Sequence, residues 1–187
     1  SALKMEGIEE LLFALSEYTK MPEYQEKFGA TVFKITRDAQ GSRLTHLKVT
    51  GGVLKARNLL SGHKQNKAED IWEEKINQIR IYSGEKYETK DEVEAGTICA
   101  VTGLSYTYPG EGLGSQEESE LPILEPVLTY ELILPDGVQP QAMMPKLAML
   151  EEEEPELHIV WNEELQEIKI QIIGEVQIEI LKALISD

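Results

Sequence analysis

Residues 168–185 read IKIQIIGEVQIEILKALI and change their hydrophobic period at one glycine. Ile168, Ile170 and Ile172 alternate with polar neighbours, the period of a half-buried strand. Beyond Gly174 the apolar residues Ile178, Leu181 and Ile185, with Leu184 alongside, fall on one helical face. A strand running into a helix across a glycine can offer backbone N–H groups to an anion. It can equally be a plain joint in which glycine permits a tight corner. No second glycine and no Lys-Ser or Lys-Thr follows, so the joint is the expectation.

The preceding stretch extends this pattern. A strand over Val127–Leu134 leads through a Pro135-Asp136-Gly137 turn to a helix carrying Met143, Leu147 and Leu150. Pro145 leaves that helix starting somewhere between 140 and 145. A strand Leu157–Asn162 and a turn at Glu163-Glu164 complete the order β-α-β-β-α. This is a ferredoxin-like βαββαβ unit lacking its last strand, and its missing strand leaves an open edge.

Upstream the texture is different. Residues 3–20 read as a helix with a stripe of Ile8, Leu11, Leu12, Leu15 and Tyr18, ended by Met21-Pro22, and a polar linker runs to Lys27. From Phe28 short strands alternate with glycine turns. Phe33 and Ile35 read as inward against Lys34 and Thr36, and Leu47 and Val49 as inward against Lys48. Ile79 and Ile81 lead into a hairpin with Tyr82 and Tyr87 on either side. The spacing predicts a small closed β barrel over 28–120, and the acidic joint Ser115–Glu120 marks the boundary to the α+β domain at 121–187.

Charge divides the chain the same way. It holds 18 basic and 34 acidic residues in 187, a net of −16. Residues 101–187 carry only 3 of the basic side chains and 18 of the acidic ones, whereas residues 34–67 carry eight basic side chains against Asp38 alone. A segment of that charge can meet phosphate, and the C-terminal third would repel it. The candidates for phosphate contact are Lys34, Arg37, Arg43, Lys48, Lys55 and Arg57. Lys34 and Lys48 lie opposite the inward positions and should share the outer surface. A merely solvated exterior is the plain alternative. No aromatics interleave with these residues along the chain, which argues against stacking on single-stranded bases.

Other chemistry is sparse. The glycine-rich phosphate loop ending in Lys-Ser or Lys-Thr is absent, His46, His63 and His158 are scattered, and no nucleophile elbow occurs. Catalytic, cofactor and metal sites are therefore not expected. Cys99 lies in an apolar run and reads as a buried, inert thiol, which suits a reducing cytoplasm. Glu151–Glu154 reads as a solvated helix end, with Mg²⁺ or a basic partner as the alternative, because clustered carboxylates oppose the helix dipole. Met143, Met144 and Met149 read as core, and Trp72 and Trp161 as structural. A start at Ser1-Ala2 and a stop after an amphipathic helix suggest a piece of something longer. No apolar run approaches membrane-spanning length.

Several segments carry a resemblance. Ala30-Thr-Val-Phe-Lys-Ile35, Gly41-Ser-Arg-Leu44, Gly51-Gly-Val-Leu54, Ala95-Gly-Thr-Ile-Cys-Ala100 and Gly103-Leu104 running to Gly110-Glu-Gly-Leu113 resemble domain II of translational GTPases of the elongation factor G type. Glu125-Pro-Val-Leu128, Leu150-Glu-Glu-Glu-Glu-Pro155 and Gly174-Glu-Val-Gln-Ile-Glu179 resemble domain III of the same proteins. Residues 3–20 look like the last helix of the preceding GTPase domain. Val176-Gln177 departs from the Leu-His usual in elongation factor G and is similar to the tetracycline-resistance ribosomal protection proteins. The resemblance implies a non-catalytic, monomeric middle fragment of a larger cytoplasmic GTPase. Its barrel would touch small-subunit ribosomal RNA and its own GTPase domain, and domain III would couple nucleotide state to the ribosome. GTP and Mg²⁺ would belong to the parent protein. Elongation factor G proper, acting in translocation, and a free-standing acidic interaction module are the alternatives.

Overall fold

The computed structural model describes residues 2–20, 22–65, 67–119, 126–135, 137–174 and 176–186. Helix α1 (Ile8–Tyr18) follows a short 3-10 turn at Ala2–Lys4. The helix expected over 3–20 is shortened because Met5 and Gly7 take left-handed φ values of 57° and 77°, which a right-handed helix does not admit. None of the side chains of α1 is buried, and its stripe of Leu11, Leu12, Leu15 and Tyr18 faces solvent.

The expected linker over 22–27 is docked rather than free. Gln25 bridges Gly51, and the Gly52 N–H donates to the Gln25 carbonyl at 2.8 Å. Gly52 has φ 57°, and a Cβ there would lie 2.7 Å from the Phe28 nitrogen. Only glycine lets the two backbones pass so closely.

Strands β1 (Gly29–Arg37), β2 (Arg43–Gly51), β9 (Ile98–Thr102) and β6 (Gln78–Ser83) form the middle of an antiparallel sheet. Its edges are β10 (Gly112–Gly114), beside β1, and β7 (Lys86–Lys90), beside β6. Two ribbons, β3 (Val53–Lys55) with β8 (Glu92–Glu94) and β4 (Leu59–Lys64) with β5 (Lys67–Lys75), contribute to the same core. The all-antiparallel arrangement agrees with the sequence, but it is laid out as three sheets around one core, not as one unbroken ring. Val32, Leu47, Val49, Leu54, Ile79 and Val101 are fully buried in it. The β4–β5 ribbon has no counterpart in the sequence reading, since β5 sets its buried residue, Trp72, among charged neighbours.

Beyond Ala30, one residue breaks the strict alternation of β1. Val32 pairs with Leu47 and Lys34 with His46, so Phe33 is an extra residue, a β-bulge. Phe33, expected inward, is consequently turned to solvent beside Lys34, while Ala30, Val32 and Ile35 fill the core.

The expected boundary at 120/121 lies outside the described residues. Residues 115–119 are tied to the β region, with the Ser115 N–H donating to the Phe28 carbonyl and the Ser119 N–H to the Gly110 carbonyl, both at 2.9 Å. Then β11 (Leu128–Leu132), α2 (Pro140–Glu153), β12 (His158–Asn162), β13 (Glu167–Ile172) and α3 (Val176–Ser186) follow in the expected order. β11 is shorter than expected at both ends, and β12 begins one residue later, with Leu157 buried just before it. β13 is central and antiparallel to both neighbours. β11 and β12 are thereby parallel, with α2 as their crossover.

Ile168, Ile170 and Ile172 are all buried, as their spacing required. Ile170 and Ile172 meet Leu157 and Leu181, with Ile178 and Leu150 packed against them. The side chains of Val176, Leu184 and Ile185 lie outside the described part. α2 starts at Pro140, where a missing N–H costs nothing, and continues through Pro145, which removes one interior hydrogen bond. Of its expected core residues, Leu147 is buried, but Met149 is exposed.

Gly174 has no left-handed φ and no atom within 4 Å of an added Cβ. The strand–helix joint therefore does not depend on glycine. Two of its backbone groups are paired through Gln177, whose N–H donates to the Gly174 carbonyl at 3.1 Å and whose Oε1 accepts the Ile173 N–H at 2.9 Å.

Candidate nucleic-acid interface and arginine clamp

The six candidate cations divide into two groups. Lys34 and Lys48 are exposed on the outer face of the six-stranded sheet, and neither makes an ion pair among the described residues. Lys55 reaches Glu92 at 3.2 Å with both side chains largely in water, a pair that contributes little. Arg57 is exposed in the turn after β3, at a left-handed φ of 67°.

Arg37 and Arg43 are placed differently. They pair directly across β1 and β2, on the face that also carries Ile35 and Thr45. The end of α2 lies over them. Arg37 Nη2 donates to Glu152 Oε2 at 2.7 Å, and its Nη1 donates to Glu153 Oε1 at 2.9 Å and to the Met149 carbonyl at 3.2 Å. Arg43 Nε donates to Glu152 Oε2 at 3.3 Å, and its Nη1 donates to Thr107 Oγ1 at 2.8 Å and to the Leu104 carbonyl at 2.9 Å. Both arginine side chains are only 15% exposed.

The expected solvated helix end is thus corrected at Glu152 and Glu153: its basic partner is the chain's own β region. Two like charges across a strand pair repel, and carboxylates at a helix C-terminus oppose its dipole. Bringing the two sets together relieves both. Burial works against the charged guanidinium of Arg37, but its hydrogen bonds to Glu153 and Glu152 outweigh that and hold its pKa above the ordinary value. Beside the clamp lies a cleft of about 230 Å³ whose lining includes Arg43, Lys64, Tyr106, Thr107 and Glu152.

The outer face carries rings that the linear sequence did not bring together. Phe33, His46, Tyr82 and Tyr87 follow one another across the sheet with centroid separations of 6.1, 6.2 and 5.3 Å. Aromatics do therefore interleave with the cations, through cross-strand register instead of along the chain. His46 Nε2 and Thr36 Oγ1 share a 2.7 Å hydrogen bond. Burial, and then the Lys34 charge, lower the His46 pKa. Arg80 stacks over the Tyr87 ring at 4.4 Å and donates to Asp38 at 2.9 Å.

Glu111 is a buried carboxyl that the sequence reading passed over, although the glycines flanking it mark a crowded loop. It is 2% exposed. It accepts the Trp72 Nε1–H at 3.0 Å and the Tyr108 N–H at 3.3 Å. Burial pushes its pKa up to about 7. A Cβ on Gly62 would run into both Glu111 and Trp72. Cys99 is buried as expected, and burial raises its thiol to about 12. Among the described residues there is no group of three or more His, Cys, Asp or Glu that could hold a metal ion, and no helix is long and apolar enough to cross a membrane.

The architecture first identifies a class of fold. A crystal structure of a protein from Thermus thermophilus superposes with a TM-score of 0.72 over 96% of this chain and 28% of that one, at 22% identity. No family model matches. Sequence relatives then give the resemblance its names. The chain is 30% identical over 168 residues to elongation factor G of Amoebophilus asiaticus, covering 87% of this chain and 23% of that protein. It is 28% identical over 185 residues to tetracycline resistance protein TetP of Clostridium perfringens, covering 97% and 28% respectively. Elongation factor G of Ureaplasma parvum serovar 3 is 28% identical over 207 residues, covering 97% and 29%. The chain is a relative of elongation-factor-G-like proteins over most of its length, and it spans about a quarter of the length of these relatives.

Proposed function

We propose that the chain is the part of a ribosome-binding translational GTPase that follows the GTP-binding domain. In this reading residues 28–120 are a translation-factor β barrel and residues 121–187 an incomplete ferredoxin-like domain, consistent with the β11-β13-β12 order. The uncovered apolar stripe of α1 suits a seat on the GTPase domain. GTP and Mg²⁺ are held by the parent protein, and this part is non-catalytic. Its place of action is the cytoplasm. The observation that carries the reading is a pair of cations, Lys34 and Lys48, which make no ion pair among the described residues and share one sheet face of a chain with net charge −16. That face is the one assigned to small-subunit RNA; Arg37 and Arg43 are occupied by Glu152 and Glu153.

Two branches are open to the parent. Val176-Gln177 favours ribosomal protection against tetracycline, in line with the TetP similarity. The similarity to elongation factor G favours translocation. Growth in tetracycline of cells carrying the intact gene decides between them.

The ribosome reading is tested by co-sedimentation of the intact protein with ribosomes across a salt series. Lys34→Glu with Lys48→Glu should weaken binding by about ten-fold or more and flatten its salt dependence. Binding unchanged at every salt concentration removes the assignment.

A further inference from the structure

The four central strands β1, β2, β9 and β6 contain no Asp or Glu at all, in a chain that has 34 of them. Asp38 reaches this face from the β1–β2 turn, and there it is held by Arg80 at 2.9 Å. The face is therefore cationic for a physical reason: its four central strands carry no carboxylate.

It is also aromatic, and the rings are set. The bulge in β1 turns Phe33 and Lys34 outward together, as bulges do when they re-aim side chains. At the far edge Tyr87 pairs with Tyr82 in register. Phe33 and Tyr87, the two ends of the row, are 43% and 46% exposed. The rings between them are fixed, His46 through Thr36 and Tyr82 through its contact with Tyr87. Neighbouring rings have centroids 6.1, 6.2 and 5.3 Å apart, too close for a planar ligand to slide between them. Arg80 already lies over one side of the Tyr87 ring, so a base would cover Phe33 and the part of Tyr87 that Arg80 leaves open. Phosphate needs the lysines, and a base needs a ring it can cover. Both are on one surface.

We propose that this face binds an unpaired stretch of RNA, with bases stacked on Phe33 and Tyr87 and the phosphate backbone following Lys34 and Lys48. The proposal rests on the ribosome reading and sharpens it from backbone contact to base stacking. Stacking is sequence-tolerant, because every base has a π face, and it selects splayed, single-stranded segments over A-form duplex. The site thus prefers a loop or bulge of RNA to a helix.

The test is fluorescence anisotropy of the 187-residue chain with a labelled RNA single strand of about ten nucleotides and with a hairpin duplex as comparator. The expected result is binding of the single strand at least ten-fold tighter than the duplex. Phe33→Ala with Tyr87→Ala should weaken single-strand binding about ten-fold, and Phe33→Tyr with Tyr87→Phe should keep it within two-fold. Trp72 emission checks that each variant is folded. Equal affinity for duplex, or an alanine pair within two-fold of the parent chain, overturns stacking. Displacement of the RNA by poly-glutamate as effectively as by unlabelled RNA, charge for charge, overturns it too, since a purely cationic face would suit an acidic protein as well. Lys34→Glu with Lys48→Glu separates the two proposals. Loss of binding on charge reversal but not on ring truncation leaves phosphate contact standing and removes stacking, and no change in either removes both.

Discussion

The β region and the C-terminal sheet are built to different depths. Among the described residues the β region has fifteen buried members in one core, including Trp72 at its floor. The C-terminal cluster has four, with Leu147 and Ile168 buried outside it, and leans on half-buried Leu128, Leu132, Leu150, Ile159 and Ile178. The first packs three sheets against one another, and the second packs helices against three strands. Burial scales with the apolar area removed from water, so the two regions should not share one stability. Local opening costs least where buried apolar contacts are few.

Deleting core volume breaks this comparison most forcefully. Leu47→Ala should cost about 3 kcal/mol or more, because its cavity lies in fully enclosed packing. Leu181→Ala, at a site already 8% exposed, should cost about 2 kcal/mol, the low end for such a truncation, since water and neighbours can relax into the gap. Each region supplies its own reporter. Trp161→Phe leaves Trp72 to follow the β region, and Trp72→Phe leaves Trp161 to follow the C-terminal sheet. Urea titrations read through the two tryptophans should give the lower midpoint for Trp161. Coincident midpoints would show one cooperative unit, held together across the clamp.

The regions also differ in how far the sequence revealed them. The alternation of Ile168, Ile170 and Ile172 and the helical stripe after Gly174 are local patterns, and local patterns predicted the C-terminal order β-α-β-β-α correctly. In the β region the same reasoning failed at Phe33, since a bulge is set by cross-strand pairing and leaves no mark in the period. The ring row failed for the same cause: its four members lie on β1, β2, β6 and β7, and register alone makes them neighbours. Arg37 and Arg43 carried a usable signal. Both continue the inward parity of Ile35 and Thr45, which Lys34 and Lys48 do not, and parity alone separates clamp from outer face. The acidic run's own partner was hidden by distance in sequence, over a hundred residues away.

The clamp is where the two regions can be made to talk or fall silent. Glu152 and Glu153 are 41% and 32% exposed, so water screens much of the attraction. The coupling between Arg37→Ala and Glu153→Ala in a double-mutant cycle should be about 0.5–1 kcal/mol and should shrink as salt rises. Its visible consequence is a wider gap between the Trp72 and Trp161 midpoints in Arg37→Ala. A gap that stays the same would mean the regions are independent despite the contact.

A separate effect is a pH dependence confined to the β region, from Glu111. Its folded pKa of about 7 lies above the ordinary carboxylate value because burial disfavours the charge. The folded state therefore holds a proton that the unfolded chain has already lost. The stability linked to Glu111 is fully present below the unfolded pKa, declines as pH rises, and is gone above pH about 7. Glu111→Gln removes that titration while keeping an oxygen for the Trp72 Nε1–H. The Trp72-reported urea midpoint should fall between about pH 5 and pH 8 in the parent chain and fall less in Glu111→Gln, by about 1 kcal/mol when expressed as stability. The Trp161-reported midpoint should be indifferent to the substitution, because the hydrogen bonds described for Glu111, to Trp72 and Tyr108, lie within the β region. If both reporters shift together, the carboxyl is linked to the whole chain's unfolding, and the division between a deep and a shallow core has to be given up.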